Sequence, residues 1–142
     1  MTTIAYRDGL LCADTMAIHS NGLKMYVATK VFKVPDGWVS GCGNPRDIAK
    51  FVEMYKEGVL EADTFNGEDW EIIKVNTKGK FELWNHELVP LSIKGRFYAT
   101  GSGSSYAMGA MEQGATAYEA VQVSCKYDDG TGGTVTTVKC IS

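Results

Sequence analysis

Behind Met1 the chain reads Thr2-Thr3-Ile4-Ala5-Tyr6-Arg7-Asp8-Gly9-Leu10-Leu11-Cys12-Ala13-Asp14. Two short apolar runs, 2–6 and 10–14, flank Arg7-Asp8-Gly9. An Asp-Gly pair suits the two positive-φ positions of a type I′ turn, so the stretch predicts a β-hairpin. The pattern returns at 30–34 and 38–42 around Pro35-Asp36-Gly37. Two successive hairpins predict an antiparallel sheet at the start of the chain.

A helix follows over 44–58. Asn44 can cap it, Pro45 occupies the first helical position, and Asp47 lies in the first turn, where the helix dipole favours an anion. Ile48, Phe51, Val52 and Tyr55 recur at helical spacing and make one core-facing stripe, and Gly58 is a natural stop. Segments 71–76 and 81–85 flank Thr77-Lys78-Gly79-Lys80 as a third hairpin, with 88–93 as an extension and 97–100 as a further strand. A small-residue helix is expected over 104–113. A last helix opens on the capping box Thr116-x-x-Glu119, with Ala117, Ala120, Val121, Ser124 and Cys125 on one face. The β-branched run 134–138 closes the series as a strand. Strands with segregated helices predict an α+β layered domain: two antiparallel sheets packed face to face and covered by helices.

The 142 residues suit a single domain, with 44% hydrophobic and 22% charged residues. No apolar run reaches the ~20 residues of a membrane span. The start of the chain lacks the basic and apolar regions of a signal peptide, which makes the cytoplasm the expected compartment. A net charge of −3 without a Lys/Arg cluster argues against nucleic-acid binding. Cys12, Cys42, Cys125 and Cys140 form no C-x-x-C pair, and with only His19 and His86 beside them they read as buried reduced thiols rather than a zinc site. No metal or organic cofactor is expected.

The small Thr2 side chain permits removal of Met1, which would place a hydroxyl and a free α-amine on one residue. An α-amine has an ordinary pKa of about 7.7–8, so part of it is neutral near pH 7 and can take the proton of its own hydroxyl. Asp14 ends the second strand and Lys30 begins the third, within Ala28-Thr29-Lys30-Val31. Ser40-Gly41-Cys42-Gly43 joins a strand to the capped helix. Gly101-Ser102-Gly103-Ser104 precedes a helix, and Asp128-x-x-Thr131-Gly132-Gly133 precedes the last strand. Taken singly, each of these is more readily a turn or a solvated residue than a functional one.

Together, in order and spacing over 2–58 and 97–140, they resemble the proteasome β-subunit superfamily of N-terminal nucleophile hydrolases, especially the HslV-type peptidase. The resemblance implies a four-layer αββα sandwich and a threonine peptidase. In it Thr2 is nucleophile and, through its amine, base; Lys30 tunes that amine and Asp14 holds Lys30. Gly41 supplies the oxyanion hole, and Ser102, Asp128 and Thr131 are supporting groups. It further implies peptide or unfolded-protein substrates, a homo-oligomeric ring or double ring, and an AAA+ ATPase as partner. One departure bears on assembly: the family has two long helices after the second hairpin, and here 44–58 stands alone. A non-catalytic ring or binding protein on the same scaffold, and an amidase of small amides, remain alternatives at this stage.

Overall fold

In the computed structural model, which describes residues 1–18, 21–26, 29–65, 67 and 69–141, the first hairpin forms at the Asp-Gly pair. Asp8 and Gly9 both take positive φ, 50° and 83°. They connect β1 (Ile4–Arg7) to β2 (Leu10–Ala13) with Ala5 opposite Cys12. A short hairpin follows, β3 (Ala17–Ile18) with β4 (Lys24–Met25), in a stretch for which the sequence predicts no strand. Next come β5 (Val31–Val34), β6 (Gly37–Gly43) and helix α1 (Pro45–Glu57). A single 3₁₀ turn (Ala62–Thr64) leads into β7 (Trp70–Asn76), β8 (Phe81–Trp84), β9 (Leu91–Ser92) and β10 (Phe97–Thr100). Helices α2 (Ser104–Glu112) and α3 (Ala117–Tyr127) precede β11 (Thr136–Lys139). Ala28 of the motif around Lys30, and His19, lie outside the described residues.

Beside the two-stranded β3-β4 sheet, two larger antiparallel sheets form among the described residues, in the orders β10-β1-β2-β11 and β5-β6-β7-β8-β9. The alternation of side chains along a strand explains the layers. Ile4, Tyr6, Leu11 and Ala13 point one way and pack against Val31, Ile73, Val75 and Phe81 of the other sheet. Ala5 and Cys12 point the other way, onto Ala107, Met111, Ala117, Ala120 and Val121 of α2 and α3. On the second sheet Val39 and Ile72 face away from the sandwich and meet Ile48, Phe51 and Val52 of α1. The layers therefore run α2/α3, four-stranded sheet, five-stranded sheet, α1.

Both helix ends read from the sequence are built as expected. The Asn44 side chain accepts from the backbone N–H of Arg46 and Asp47, and Gly58 closes α1 in the left-handed conformation. Thr116 and Glu119 form the reciprocal capping box of α3. Some boundaries differ. The strand expected from residue 30 begins at Val31. The last strand starts at Thr136 instead of 134, because Gly132 and Thr134 are bonded to the segment after β2: Thr15 and Met16 N–H donate to Gly132 O, and Thr15 Oγ1 to Thr134 O. The 88–93 segment contributes only the two residues of β9.

Phe51 is fully buried, with ring centroids of Tyr55, Trp70 and Trp84 at 5.7, 5.8 and 5.3 Å. It anchors α1 to its sheet. Phe51→Ala should lower unfolding free energy by about 3–5 kcal/mol, against about 1 kcal/mol for loss of the Asn44 cap in Asn44→Ala. Urea unfolding of the two variants checks the ranking.

Candidate active site

The period of β1 decides where the first residues point. Ile4 and Tyr6 face the space between the sheets and Ala5 faces the helices. Thr2 therefore falls on the inter-sheet side and Thr3 on the helix side. Both are buried. β1 lies inside its sheet, between β10 and β2, so the start of the chain is held along both edges.

Lys30 reaches Thr2 from the opposite sheet. Its Nζ lies 3.0 Å from Thr2 Oγ1, 2.9 Å from Asp14 Oδ1 and 2.5 Å from Met16 O. The carboxylate and the carbonyl can only accept. Thr2 Oγ1 donates its own proton to the Met1 carbonyl, so it too accepts from the lysine. All three N–H bonds of the ammonium are thus engaged. The Lys30 carbonyl is itself held, by the hydroxyl of fully buried Ser40 at 2.5 Å.

Asp14 is completely inaccessible and anchors three segments. Its Oδ1 takes the Thr3 N–H at 3.1 Å as well as Lys30, and its Oδ2 takes the Gly132 N–H at 3.0 Å. A buried carboxylate is tolerated only when paired and hydrogen-bonded, and Asp14 has both kinds of partner.

A second hydrogen-bond chain approaches Thr2 from the other side. Thr2 N donates to Ser102 Oγ at 3.2 Å. Asp128 Oδ2 lies 2.7 Å from Ser102 Oγ and 2.5 Å from Thr131 Oγ1. The ionised carboxylate accepts only, so each hydroxyl spends its single proton on Asp128, and Ser102 turns a lone pair toward the Thr2 nitrogen. Partial burial pushes the Asp128 carboxyl upward. Hydrogen bonds from Thr131 and Ser102, helped by the Gly130 backbone and the terminal ammonium, outweigh that and hold it below the usual carboxylate range. The Gly101 turn brings this loop in: Gly101 has φ 101°, and a Cβ there would lie 2.1 Å from Thr2 O.

Gly41 lies on β6. Asn44 N–H donates to Asp69 O, and antiparallel hydrogen bonds alternate between the two edges of a strand. Even-numbered N–H groups of β6 thus face β7, and those of Gly41 and Gly43 face the β5 side. Extending the Val31–Ser40 pairing by one residue sets Gly41 across from Lys30. Gly43 lies two residues further, past the first residue of β5, with φ 104° and no room for a Cβ, which would lie 2.2 Å from Asp69 O.

Two cavities lie at this end of the sandwich, the first lined by Thr2 and the second by Met1. The first, of about 270 Å³, is also lined by Met16, Ile18, Phe32, Ile48, Gly41 and Lys30, among others. The second, of about 400 Å³, includes Asp69, Glu71, Thr100 and Ser102. Cys42 borders both. Its thiol is pushed up by burial, opposed by its hydrogen bond with Thr100. Cys42 and Cys125 are half-buried, unlike Cys12 and Cys140, because the first faces the cleft and the second sits at the edge of α3.

The structure thus brings Thr2, Asp14, Lys30, Ser102, Asp128 and Thr131 into one connected group and places Gly41 beside it. It adds Thr3, the Met16 carbonyl, Ser40 and Gly43. A backbone carbonyl carries no sequence signal. Thr3 and Gly43 were legible in principle, from strand alternation and from the glycine beside a capped helix.

No family model matches the sequence, and no curated protein matches it. Solved structures do match the fold. Thiobacillus denitrificans BPH in complex with epoxomicin aligns at TM-score 0.70 and 20% identity over 96% of each chain. Thiobacillus denitrificans BPH alone aligns at 0.71 and 20%, over 96% of this chain and 95% of that one. The chain accordingly has the four-layer α+β fold of N-terminal nucleophile hydrolases. Within that class the likeness is to HslV-type structures: eukaryotic HslV from Trypanosoma brucei aligns at TM-score 0.68 and 13% identity over 96% of this chain and 97% of that one.

A depressed Asp128 value has a testable sign. Its contribution to stability is present above the unfolded value of about 3.9 and is lost as pH falls through the lower folded value. Carboxyl NMR should show Asp128 titrating below that figure. Ser102→Ala and Thr131→Val should each move the midpoint up.

Proposed function

We propose that the chain is a threonine peptidase whose nucleophile is Thr2 Oγ1 after removal of Met1. The observation that carries this reading is the convergence of Lys30 Nζ and Ser102 Oγ on the two reactive atoms of one residue, at 3.0 Å from Thr2 Oγ1 and 3.2 Å from Thr2 N. With Met1 gone, that nitrogen is a primary amine. A second positive charge beside the Lys30 ammonium is disfavoured, which biases the amine toward its neutral form. Donating one N–H to Ser102 then aims its lone pair toward the Thr2 hydroxyl.

In the reaction the amine takes the hydroxyl proton as Oγ1 attacks the scissile carbonyl, and Lys30 stabilises the developing charge on Oγ1. The N–H groups of Gly41 and Gly43 share the β6 edge that borders the cavity and serve the oxyanion, with Gly43, beyond the start of β5, the better placed. The protonated amine returns its proton to the departing amine. Water then hydrolyses the Thr2 ester, with the amine again as base.

The cavity lined by Met16, Ile18, Phe32 and Ile48 suits an apolar side chain on the acyl side of the cleaved bond. An extended peptide would bind as an added strand along Gly41–Gly43, where β6 runs past the first residue of β5. Likeness to HslV-type structures supports assembly into a homo-oligomeric ring that hides the sites from folded proteins. Among the described residues α1 is followed by a single 3₁₀ turn before β7, so the reading does not include an AAA+ ATPase partner.

Intact mass should show the purified chain without Met1. A peptide epoxyketone, which needs both hydroxyl and free amine, should add once, at Thr2. Thr2→Ala should abolish the adduct and peptide hydrolysis, and Lys30→Met should slow both by at least about a hundredfold. A processed protein that forms no adduct, or a Thr2→Ala variant with unchanged hydrolysis, would sink the assignment.

A further inference from the structure

Thr3 does not touch the reacting atoms, yet its side chain is fully buried and polar. Its Oγ1 lies 2.8 Å from Thr131 Oγ1. The Thr131 proton is already committed to Asp128, so Thr3 is the donor and Thr131 the acceptor. The full chain then has one direction from each end: Thr3 hydroxyl to Thr131 to Asp128, and Thr2 nitrogen to Ser102 to Asp128. Adjacent residues on β1 supply both ends, one from each face of the strand. The backbone of Thr3 is tied as well, its N–H to Asp14 Oδ1 and its carbonyl to the Asp14 N–H.

We propose that Thr3 is a positioning residue for the Thr2 nucleophile, whose hydroxyl donates to Thr131 and thereby holds the Asp128–Ser102 pair in register with the Thr2 nitrogen. The inference rests on the peptidase reading above and extends it to a group outside the reacting atoms. Its physical basis is the buried acceptor. Thr131 is only 4% exposed, so without the Thr3 donor its oxygen faces apolar atoms with a lone pair unfilled. The segment 128–131 relieves that by shifting, which carries Asp128 away from Ser102. Hydrogen bonds in such a chain also polarise one another, so losing the first weakens the rest.

The geometry separates the donor from the methyl group of the same side chain. Thr3→Val keeps the shape and removes the donor. Thr3→Ala removes both, and being smaller it stays clear of Gly103, which Thr3 Oγ1 approaches so closely that a Cβ there would lie 2.0 Å away. Thr3→Ser keeps the donor and removes only the methyl.

The experiment compares the four processed proteins on a fluorogenic peptide amide with an apolar residue before the cleaved bond, with melting temperature measured alongside. The expected result is a kcat about tenfold lower in Thr3→Val and Thr3→Ala at unchanged KM. Thr3→Ser should keep kcat within about twofold while melting below wild type, since it has lost a buried methyl. Rate and stability then rank the variants in different orders, which a purely structural role does not produce. Wild-type kcat in the valine and alanine variants, or a serine variant as slow as alanine, overturns the proposal while leaving Thr2 as nucleophile. An inactive wild-type protein overturns the peptidase reading and this inference with it.

Discussion

The Lys30 ammonium and the Asp14 carboxylate meet at 2.9 Å across the open end of the sandwich, with the lysine side chain 9% and the carboxylate 0% exposed. Lys30 leaves the five-stranded sheet; Asp14 follows a strand of the four-stranded one. Their contact joins two sheets whose facing surfaces are mainly apolar, with further polar links from Thr100 to Glu71 and from Tyr6 to the Gly79 carbonyl. Asp14 also receives backbone N–H groups from Thr3 and Gly132. One carboxylate therefore fixes the start of β1, the approach to β11 and the cation beside Thr2. A buried pair of this kind costs several kcal/mol to break from one side, so the site and the packing of the sheet ends stand or fall together.

Rigidity at the first residues of a chain is unusual, since termini commonly fray. Here it follows from topology. β1 is an interior strand of its sheet, flanked by β2 and β10. The Thr2 carbonyl accepts the Gly103 N–H, and the Thr3 carbonyl accepts the Asp14 N–H. The nucleophile role proposed for Thr2 would need such a frame, because the hydroxyl would have to hold its 3.0 Å distance to Lys30 while the nitrogen holds its 3.2 Å distance to Ser102. The two-residue period of the strand completes the arrangement by sending Thr2 to the cleft and Thr3 to the helix side.

Much of the fold was legible locally. Asp8-Gly9, the Asn44 cap with Pro45, the Thr116–Glu119 capping box and the stripe Ile48, Phe51, Val52, Tyr55 are short-range signals whose physics is contained within a few residues, and the structure builds each of them. The β3–β4 hairpin was missed because two-residue strands leave no periodic trace. The late start of β11 was missed because its cause, the pairing of Gly132 with residues 14–16, spans more than a hundred residues of sequence. The site divides in the same way. Thr2, Lys30 and Asp14 could be picked out as candidates by residue type and order, whereas the Met16 carbonyl and the Ser40 hydroxyl that complete the Lys30 environment have no distinguishing pattern.

Side-chain chemistry and alternation along each strand are properties of the linear chain, and they determined which faces are apolar, where the turns fall and which residues could act as nucleophile, cation and carboxylate. Direction and distance belonged to the folded molecule alone. Only packing of one sheet on the other brings Lys30 to Thr2, and only the arrival of Asp128 beside Ser102 and Thr131 dictates which way each hydroxyl proton points. A hydroxyl can donate or accept equally well until a fixed acceptor claims its proton, and that acceptor is supplied by a loop distant in sequence.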